Sequence, residues 1–173
     1  GGSVIDGTKL IAAGLCYDGD AWNLVCQPSL ISKAIPFSSV LTIPATGSEM
    51  NSGGVISSRQ RKEKRSFGSP YTFPVFSVLD PETTYSLPKH HLACGLVDTF
   101  VHVMEQYMTT PHQSSVMDRW AEGVLHTVIE IAPQIIQNPT DYDLMANFMF
   151  SATMGLNGFL GMGVTEDWST HMI

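Results

Sequence analysis

The stretch GLVDTFVHVMEQY, residues 95–107, decides how the second half of this sequence folds. Its apolar residues recur at the spacing of an amphipathic helix, so the stretch predicts an α-helix with a buried face. Asp98 and His102 stand four positions apart, which places both side chains on one face of that helix, with Glu105 close to the same face. An acid and an imidazole in so apolar a run require a physical explanation.

The Asp98–His102 pair has two physical explanations. Burying a lone carboxylate is costly, so Asp98 needs a partner, and His102 supplies one through an ion pair or hydrogen bond within the helix. A divalent metal ion is the alternative, because carboxylate and neutral imidazole are both ligands for such ions. The two residues by themselves favour the intrahelical pair, and only the rest of the sequence can shift that balance.

Composition limits the classes of protein to be considered. The chain has 173 residues, of which 43% are hydrophobic and 14% charged, so one domain or two small ones can form a sizeable core. The formal net charge of −7 argues against a general nucleic-acid binder, which must displace counterions from phosphates. The three cysteines are spaced too irregularly for a zinc ribbon or a disulfide framework, and they fit a reduced, cytoplasmic setting.

Neither a targeting signal nor a membrane span is expected. No charged segment followed by an apolar run opens the chain, so we expect no secretory signal. Residues 144–165 carry no charge and could span a bilayer, but their two asparagines and four glycines favour a helix buried in a bundle, with a membrane protein as the alternative. The GGS start without a methionine and the end at Ile173 indicate an internal piece of a longer protein.

The first part of the sequence predicts an α/β layer. Residues 3–17 place their apolar side chains at helical spacing. Residues 39–44 and 75–80 are short apolar, β-branched runs that end at or beside prolines, as buried strands do, and residues 53–60 form a weaker strand. Strands alternating with a helix predict a parallel sheet. We interpret the basic cluster RQRKEKR at 59–65 as a solvated turn.

The second part of the sequence predicts helices and no strand. Pro88 can open a helix that ends at the Thr-Thr-Pro sequence 109–111. A second helix fits residues 114–137, beginning at a serine cap, and a third covers residues 142–160. We therefore expect two parts, an α/β part at 1–88 and an all-helical part at 89–173.

A longer pattern around the Asp98 helix resembles the signature of the iron-activated, or group III, alcohol dehydrogenases. That signature is an acid at a strand end, a proline seven or eight residues on, and a helix of the form G-x-x-D-[A/T]-φ-x-x-x-x-E. The matching residues are Asp80, Pro88, Gly95, Asp98, Thr99, Phe100 and Glu105. In the family the aspartate and the histidine four residues later bind a metal ion, so the resemblance implies that Asp98 and His102 are metal ligands.

The resemblance extends to both ends of the chain. GGSVIDGTK, residues 1–9, is similar to the family's GGGSxxDxxK loop, in which glycines let backbone N–H groups approach a pyrophosphate. LTIPATGSEMNSGGVIS, residues 41–57, is similar to the compact P-x-T-x-GSE stretch of the NADPH-dependent aldehyde reductase and butanol dehydrogenase branch. EDWSTHMI, residues 166–173, places His171 at the family's third ligand position, and a fourth ligand is expected beyond Ile173.

The resemblance also implies roles for residues of the cofactor site. It implies that Asp6 is a catalytic residue near the nicotinamide end of the cleft. The implied cofactor contacts are Gly1, Gly2 and Ser3 at the pyrophosphate, Thr42, Thr46 and Asn51 along the groove, and Lys64 at the ribose. The histidines that match no ligand position, and that we expect in surface or packing roles, are His90, His91, His112 and His126.

What the resemblance implies for the whole protein is a dehydroquinate synthase-like architecture. A partial α/β nucleotide-binding domain at 1–88, with an incomplete, Rossmann-like parallel sheet, would precede a partial all-helical metal-binding domain at 89–173. The implied activity is that of a metal-dependent, NAD(P)-dependent alcohol dehydrogenase or aldehyde reductase (EC 1.1.1.-), with NADP(H) or NAD(H) and with Fe(II) or Zn(II). The substrate would be a small aldehyde or alcohol, and the expected state is a cytoplasmic homodimer or larger homo-oligomer without nucleic-acid or membrane partners.

Two other functions stay open. A relative of glycerol dehydrogenase or dehydroquinate synthase would keep the fold and the cofactor, although such relatives usually bind their metal through residues of a different spacing. An inactive metal-binding fragment is the second alternative, and comparing the isolated 173-residue chain with the intact protein would separate it from an enzyme.

Overall fold

The structure is a computed structural model that describes residues 1–110 and 114–172. Its helices and strands in chain order are α1 (Gly2–Gly14), α2 (Trp22–Cys26), β1 (Ser39–Val40), β2 (Gly53–Ser58), β3 (Glu63–Gly68), β4 (Ser77–Val78), α3 (Lys89–Tyr107), α4 (Ser115–Gln137) and α5 (Tyr142–Leu156). Short 3₁₀ turns occur at Pro28–Leu30, Ser48–Met50, Pro70–Thr72, Pro81–Thr84 and Thr170–Met172. The described residues divide into two compact units, Gly1–Leu41 with Ser48–Val78, and Thr42–Gly47 with the residues from Leu79 onward.

The first unit contains the four strands. β1 and β4 pair in parallel, with Ser39 opposite Ser77. β2 and β3 form an antiparallel hairpin, in which Ser58 lies opposite Glu63 beside the turn. The apolar core of this unit consists of Ala13, Leu24, Val25, Ile31 and Phe67. The parallel pair agrees with the predicted sheet, but each strand has two residues instead of the predicted ranges 39–44 and 75–80, and Val40 and Val78 are exposed instead of buried. The antiparallel hairpin was not predicted.

The strand β3 shows where the interpretation of the basic cluster 59–65 was incomplete. The cluster spans the hairpin turn, in which Lys62 has a φ of 52°, and continues into the first half of β3. Along β3 only Phe67 is buried, so the strand presents mostly charged or small residues to solvent. A search for continuous apolar runs finds buried strands and misses a half-exposed hairpin strand of this kind.

The second unit is helical, as predicted. α3 begins directly after Pro88, and α4 begins after Ser114, where the sequence places its cap. The third helix ends at Leu156 instead of the predicted residue 160, because the chain turns at Gly158, which has a φ of +87°. The helix that begins after Pro88 was predicted to end at residues 109–111, of which Pro111 lies outside the described residues.

The three long helices share one apolar core. Its buried members are Leu92, Leu96, Val128, Ile131, Ile135, Met145, Phe148 and Ala152. Within residues 79–110 and 114–172 the structure contains no strand. Among the described residues, no helix combines the length and the apolar character needed to cross a membrane. The expected functional boundary at residue 88 stays a prediction.

Candidate metal centre

Three side chains of the second unit converge on one point. Asp98 and His102 project from α3, and His171 comes from the 3₁₀ turn Thr170–Met172. One potential ligand atom from each residue lies within 4.8 Å of the other two. His102 Nδ1 is 3.7 Å from Asp98 Oδ2, and His171 Nε2 is 3.7 Å from Asp98 Oδ1. The two imidazoles stack with their centroids 4.5 Å apart and an angle of 17° between their planes.

The spacing of these atoms fits a shared cation better than direct bonds between them. A distance of 3.7 Å between Asp98 and His102 is too long for a hydrogen bond, so the intrahelical hydrogen bond considered from the sequence is not made. Ligands at about 2.1 Å from a tetrahedral ion lie roughly 3.4 Å from one another, which is close to the observed separations. The Asp and His donors also suit Fe(II) or Zn(II).

His102 provides the observation on which the metal site depends most. Its side chain is only 6% exposed, and its Nδ1 atom has no hydrogen-bond partner among the described residues. A hydrogen bond with the backbone of Ala45 helps to hold the ring, and Nδ1 lies 3.7 Å from Asp98 Oδ2. A buried nitrogen that makes no hydrogen bond within the protein is well suited to bind a cation.

The electrostatics of His102 also favour ligation. Burial disfavours the imidazolium and lowers the pKa of His102 below its ordinary value, although Asp98 partly opposes this shift and the nearby His171 adds to it. Histidine binds metal ions only in its neutral form. The lowered pKa therefore keeps His102 in the form that a metal ion requires at neutral pH.

Gly95 allows the segment Thr42–Gly47 to lie against α3. A Cβ atom at position 95 would overlap the carbonyl oxygen of Pro44, far inside van der Waals contact, and would press on the ring of Phe148. Position 95 is seven residues before His102 and so lies two turns away on the same face. The close approach at Gly95 is therefore what brings the backbone of Ala45 within hydrogen-bond reach of His102.

Glu105 orients the third candidate ligand. Its carboxylate is largely buried and accepts hydrogen bonds from the ring Nδ1 of His171 and from the backbone N–H groups of Thr170 and His171. Burial by itself would raise the pKa of Glu105, but the hydrogen bonds from His171 and Thr170 outweigh it and hold that pKa below its ordinary value. The bond to Nδ1 turns His171 Nε2 toward Asp98. From the sequence, Glu105 was placed near this face but without a role.

We expect Glu105→Gln to weaken metal binding by about 10- to 100-fold, because the neutral amide holds the His171 ring less firmly and makes it a poorer donor. The measurement is a competitive titration of the metal-free protein with Zn(II) against a chelator of known affinity. Glu130→Gln is the matched control, since Glu130 is exposed on α4 and its ion-pair partner is His126 at 3.8 Å. Equal metal affinity for wild type and Glu105→Gln would contradict this role.

A pocket of about 470 Å³ opens beside the candidate ligands. Asp98 and His171 lie on its wall together with Thr170, and the remaining wall is formed by Ala93, Val97, Val101, His90 and Cys94. The volume falls within the range of small-molecule sites, and the wall is mostly apolar with a few polar groups. The ring of Trp168 packs edge-on against both imidazoles, with centroid distances of 6.2 Å to His102 and 5.6 Å to His171.

Comparison with known proteins identifies the family. The family model described as iron-containing alcohol dehydrogenase matches residues 1–81, and the model described as Fe-containing alcohol dehydrogenase family, C-terminal, matches residues 92–173. This chain belongs to the iron-containing alcohol dehydrogenases. The family resemblance predicted from the sequence is therefore confirmed.

Individual relatives of this iron-containing alcohol dehydrogenase chain support the predicted branch. The probable NADH-dependent butanol dehydrogenase 1 of Bacillus subtilis is 50% identical over the whole chain, and the NADPH-dependent aldehyde reductase YqhD of Escherichia coli is 49% identical over the whole chain. The chain spans 45% and 46% of the length of these two relatives.

Solved structures of the family share the fold. A crystal structure of E. coli YqhD superposes with a TM-score of 0.97 at 50% identity, covering 99% of this chain and 45% of that one. The NADH-dependent butanol dehydrogenase A of Thermotoga maritima superposes with a TM-score of 0.93 at 38% identity, covering 99% and 43%. The predicted fold class, an α/β part followed by a helical part, is confirmed.

The residues expected at the cofactor lie in both units of this family member. Gly1, Gly2 and Ser3 stand at the start of α1, Asp6 follows within that helix, and Lys64 is exposed on β3. Asp6 and Asn51 belong to one polar network of the first unit, whereas Thr42 and Thr46 belong to the second unit. Both carboxylate oxygens of Asp6 accept hydrogen bonds, one from Ser48 Oγ at 2.5 Å and one from the backbone N–H of Val55 at 2.9 Å.

The remaining histidines of this family member stay outside the metal centre where the structure describes them. His90 lies 3.6 Å from the sulfur of Cys94, and the exposed His126 lies near Glu130. The ring of His91 lies 6.0 Å from that of His90 at the start of α3, with an angle of 45° between the ring planes. His112 lies outside the described residues, so its expected surface role is a prediction only.

Proposed function

We propose that this protein is a metal-dependent alcohol dehydrogenase or aldehyde reductase that transfers a hydride between NAD(P)(H) and a short-chain aldehyde or alcohol. The observation that carries the proposal is the convergence of Asp98, His102 and His171 around the unpartnered Nδ1 atom of His102. The names of its relatives, NADH-dependent butanol dehydrogenase and NADPH-dependent aldehyde reductase, support the substrate class and the cofactor.

We propose Asp98, His102 and His171 as the ligands that this chain contributes to Fe(II) or Zn(II). Bound there, the cation would supply the positive charge that stabilises a developing negative charge on the substrate oxygen, while the nicotinamide supplies or accepts the hydride. The backbone of Ala45 holds the His102 ring, and Glu105 holds the His171 ring, so both lone pairs face the same point. The pocket beside these residues has apolar walls at Val97 and Val101.

We propose that the cofactor is bound chiefly by residues 1–88 and the metal by residues 89–173. The proposed cofactor residues are Gly1, Gly2, Ser3, Thr42, Thr46, Asn51 and Lys64, with Asp6 near the nicotinamide as the catalytic-site acid. Support comes from the glycine-rich start of α1, whose first backbone N–H groups suit a pyrophosphate. We further propose a cytoplasmic homodimer or larger homo-oligomer.

The test uses the intact protein, stripped of metal and reloaded with Fe(II) or Zn(II). We expect oxidation of NADPH or NADH with butanal, which depends on the added metal and reverses with butanol and the oxidised cofactor. The metal-free protein serves as the control in the same assay. If neither metal supports turnover of either cofactor with any short aldehyde, the proposed activity is wrong.

A further inference from the structure

Lys9 is a charged side chain in the interior of the first unit. It lies on α1 and is completely buried. Its Nζ atom donates hydrogen bonds to Ser48 Oγ at 2.9 Å, to Asn51 Oδ1 at 2.9 Å and to the carbonyl oxygen of Gly53 at 2.6 Å. An ammonium group has three N–H donors, so these three acceptors use its full capacity. Lys9 therefore ties α1 to the segment 48–53 through three separate bonds.

The first consequence of this network is a fixed orientation for the amide of Asn51. Its Oδ1 atom accepts from Lys9 and also from the backbone N–H of Gly53 at 3.0 Å. Both neighbours are donors only, so the atom that faces them must be the oxygen and not the nitrogen. The NH2 group of Asn51 consequently points away from Lys9, on the side of the amide that can only donate.

The second consequence concerns Asp6. Because Lys9 donates to the oxygen of Ser48, the single hydroxyl proton of Ser48 is directed to Asp6 Oδ1, at 2.5 Å. The other carboxylate oxygen accepts from Val55 N–H. The chain of hydrogen bonds from Lys9 through Ser48 thus sets the rotation of the Asp6 carboxylate.

We propose that Lys9 is a positioning residue for the nicotinamide cofactor, acting through Asn51 and, by way of Ser48, through Asp6. The inference rests on the proposed function, in which Asn51 and Asp6 lie at the cofactor. Lys9 itself is enclosed and touches no ligand. Its contribution is to present the donor end of Asn51, and the carboxylate of Asp6, in one orientation before the cofactor arrives.

The protonation state of Lys9 provides a second test of this role, through the pH dependence of cofactor affinity. Burial lowers the pKa of Lys9 to about 8, and the carboxylates of Asp6 on α1 and Glu49 in the Ser48–Met50 turn partly oppose that shift. Below pH 8 the ammonium supplies all three bonds. Above pH 8 the neutral amine keeps only two N–H donors, so one of its three acceptors loses its partner. Cofactor affinity should therefore decline as the pH rises through about 8.

The experiment measures the dissociation constants of NADPH and NADH for the intact, metal-loaded protein by fluorescence titration. The variants are Lys9→Met, Asn51→Ala and the double variant, with Lys33→Met, an exposed lysine, as the matched control. We expect Lys9→Met to weaken binding about tenfold. Lys9 acts partly through Asn51, and that part of its effect is already lost in Asn51→Ala. The losses of cofactor affinity in the double variant should therefore be clearly less than additive. The decline above pH 8 should disappear in Lys9→Met.

The outcomes separate this inference from the proposed function. A wild-type protein that binds neither cofactor overturns both, whereas a wild type that binds and a Lys9→Met variant that binds equally well overturn only the role of Lys9. Fully additive effects in the double variant overturn it too, because they would show that Lys9 acts independently of Asn51. Metal content equal to that of the wild type confirms that a variant has folded around Asp98.

A second variant covers the case in which Lys9→Met does not fold. Asn51→Asp keeps an oxygen facing Lys9 and replaces the NH2 donor with a second oxygen. We expect it to fold, since the Lys9 bond is retained, and to lose about tenfold in cofactor affinity. An unchanged dissociation constant in Asn51→Asp would overturn the inference without reference to Lys9→Met.

Discussion

Asp98→Ala and His102→Ala, each made in the intact protein, are expected to lose at least about a hundredfold in metal affinity and with it the proposed dehydrogenase activity. Changing groups that merely orient a ligand already costs about 10- to 100-fold, so removing a ligand costs more. The helical fold should survive in Asp98→Ala, because the Asp98 side chain is 34% exposed and lies at the edge of the pocket. His102→Ala leaves a small buried cavity and should cost about 1–3 kcal/mol of stability in addition.

Elemental analysis after dialysis against a defined low concentration of Zn(II), combined with circular dichroism, measures both effects. His126→Ala is the matched control, since it removes an exposed histidine of the same unit that lies away from the centre. Wild-type metal content in both Asp98→Ala and His102→Ala would show that these residues pair with each other and do not bind an ion.

Gly95→Ala is expected to destabilise the helical unit by about 2–4 kcal/mol, although alanine is ordinarily the better helix former. The added methyl group would have to displace the Pro44 carbonyl, which belongs to backbone and cannot rotate away, and the ring of Phe148 lies close behind it. Displacing that segment also withdraws Ala45 from His102, so metal affinity should fall together with stability.

The control for Gly95→Ala lies on the neighbouring helix. Gly123 is inside α4, and a Cβ atom there would meet nothing within 4 Å, so Gly123→Ala should stabilise the protein by about 0.5–1 kcal/mol. Urea denaturation of both variants measures the free energies of unfolding. If Gly95→Ala proves as stable as Gly123→Ala, the close approach of Pro44 does not constrain the fold.

The sequence predicted those parts of the site that repeat at helical spacing. The four-residue separation placed Asp98 and His102 on one face, with Glu105 near it but without a role, and the family resemblance was needed to interpret the pair as ligands. His171 could be connected to them only through the family resemblance, because nothing in local periodicity says that a turn so far along the chain returns to α3. The hydrogen bond from His102 to Ala45 was beyond prediction for the same reason, since it depends on the packing of two distant segments.

Lys9 shows a different limit of sequence analysis. A lysine on an amphipathic helix is ordinarily expected at the surface, and its burial here depends on three acceptors supplied by the distant segment 48–53. The strand β3 was missed because its residues are charged. Patterns of apolar residues thus predicted the long helices and the parallel strand pair, although that pair is shorter and more exposed than expected, while polar interactions between separate segments required the structure.

Hydrogen bonds within the protein itself attach the turn that carries His171 to α3. Glu105 accepts hydrogen bonds from the amides of Thr170 and His171 through its side chain, and its backbone carbonyl accepts from the amide of Asp167 at 3.0 Å. Fixing a flexible residue costs about 1–2 kcal/mol of conformational entropy, and here that cost falls on folding instead of on ion capture. The fixed positions of the donors would then govern selectivity among cations. An ion of unsuitable size could not draw His171 into contact, because the turn is held in place by Glu105.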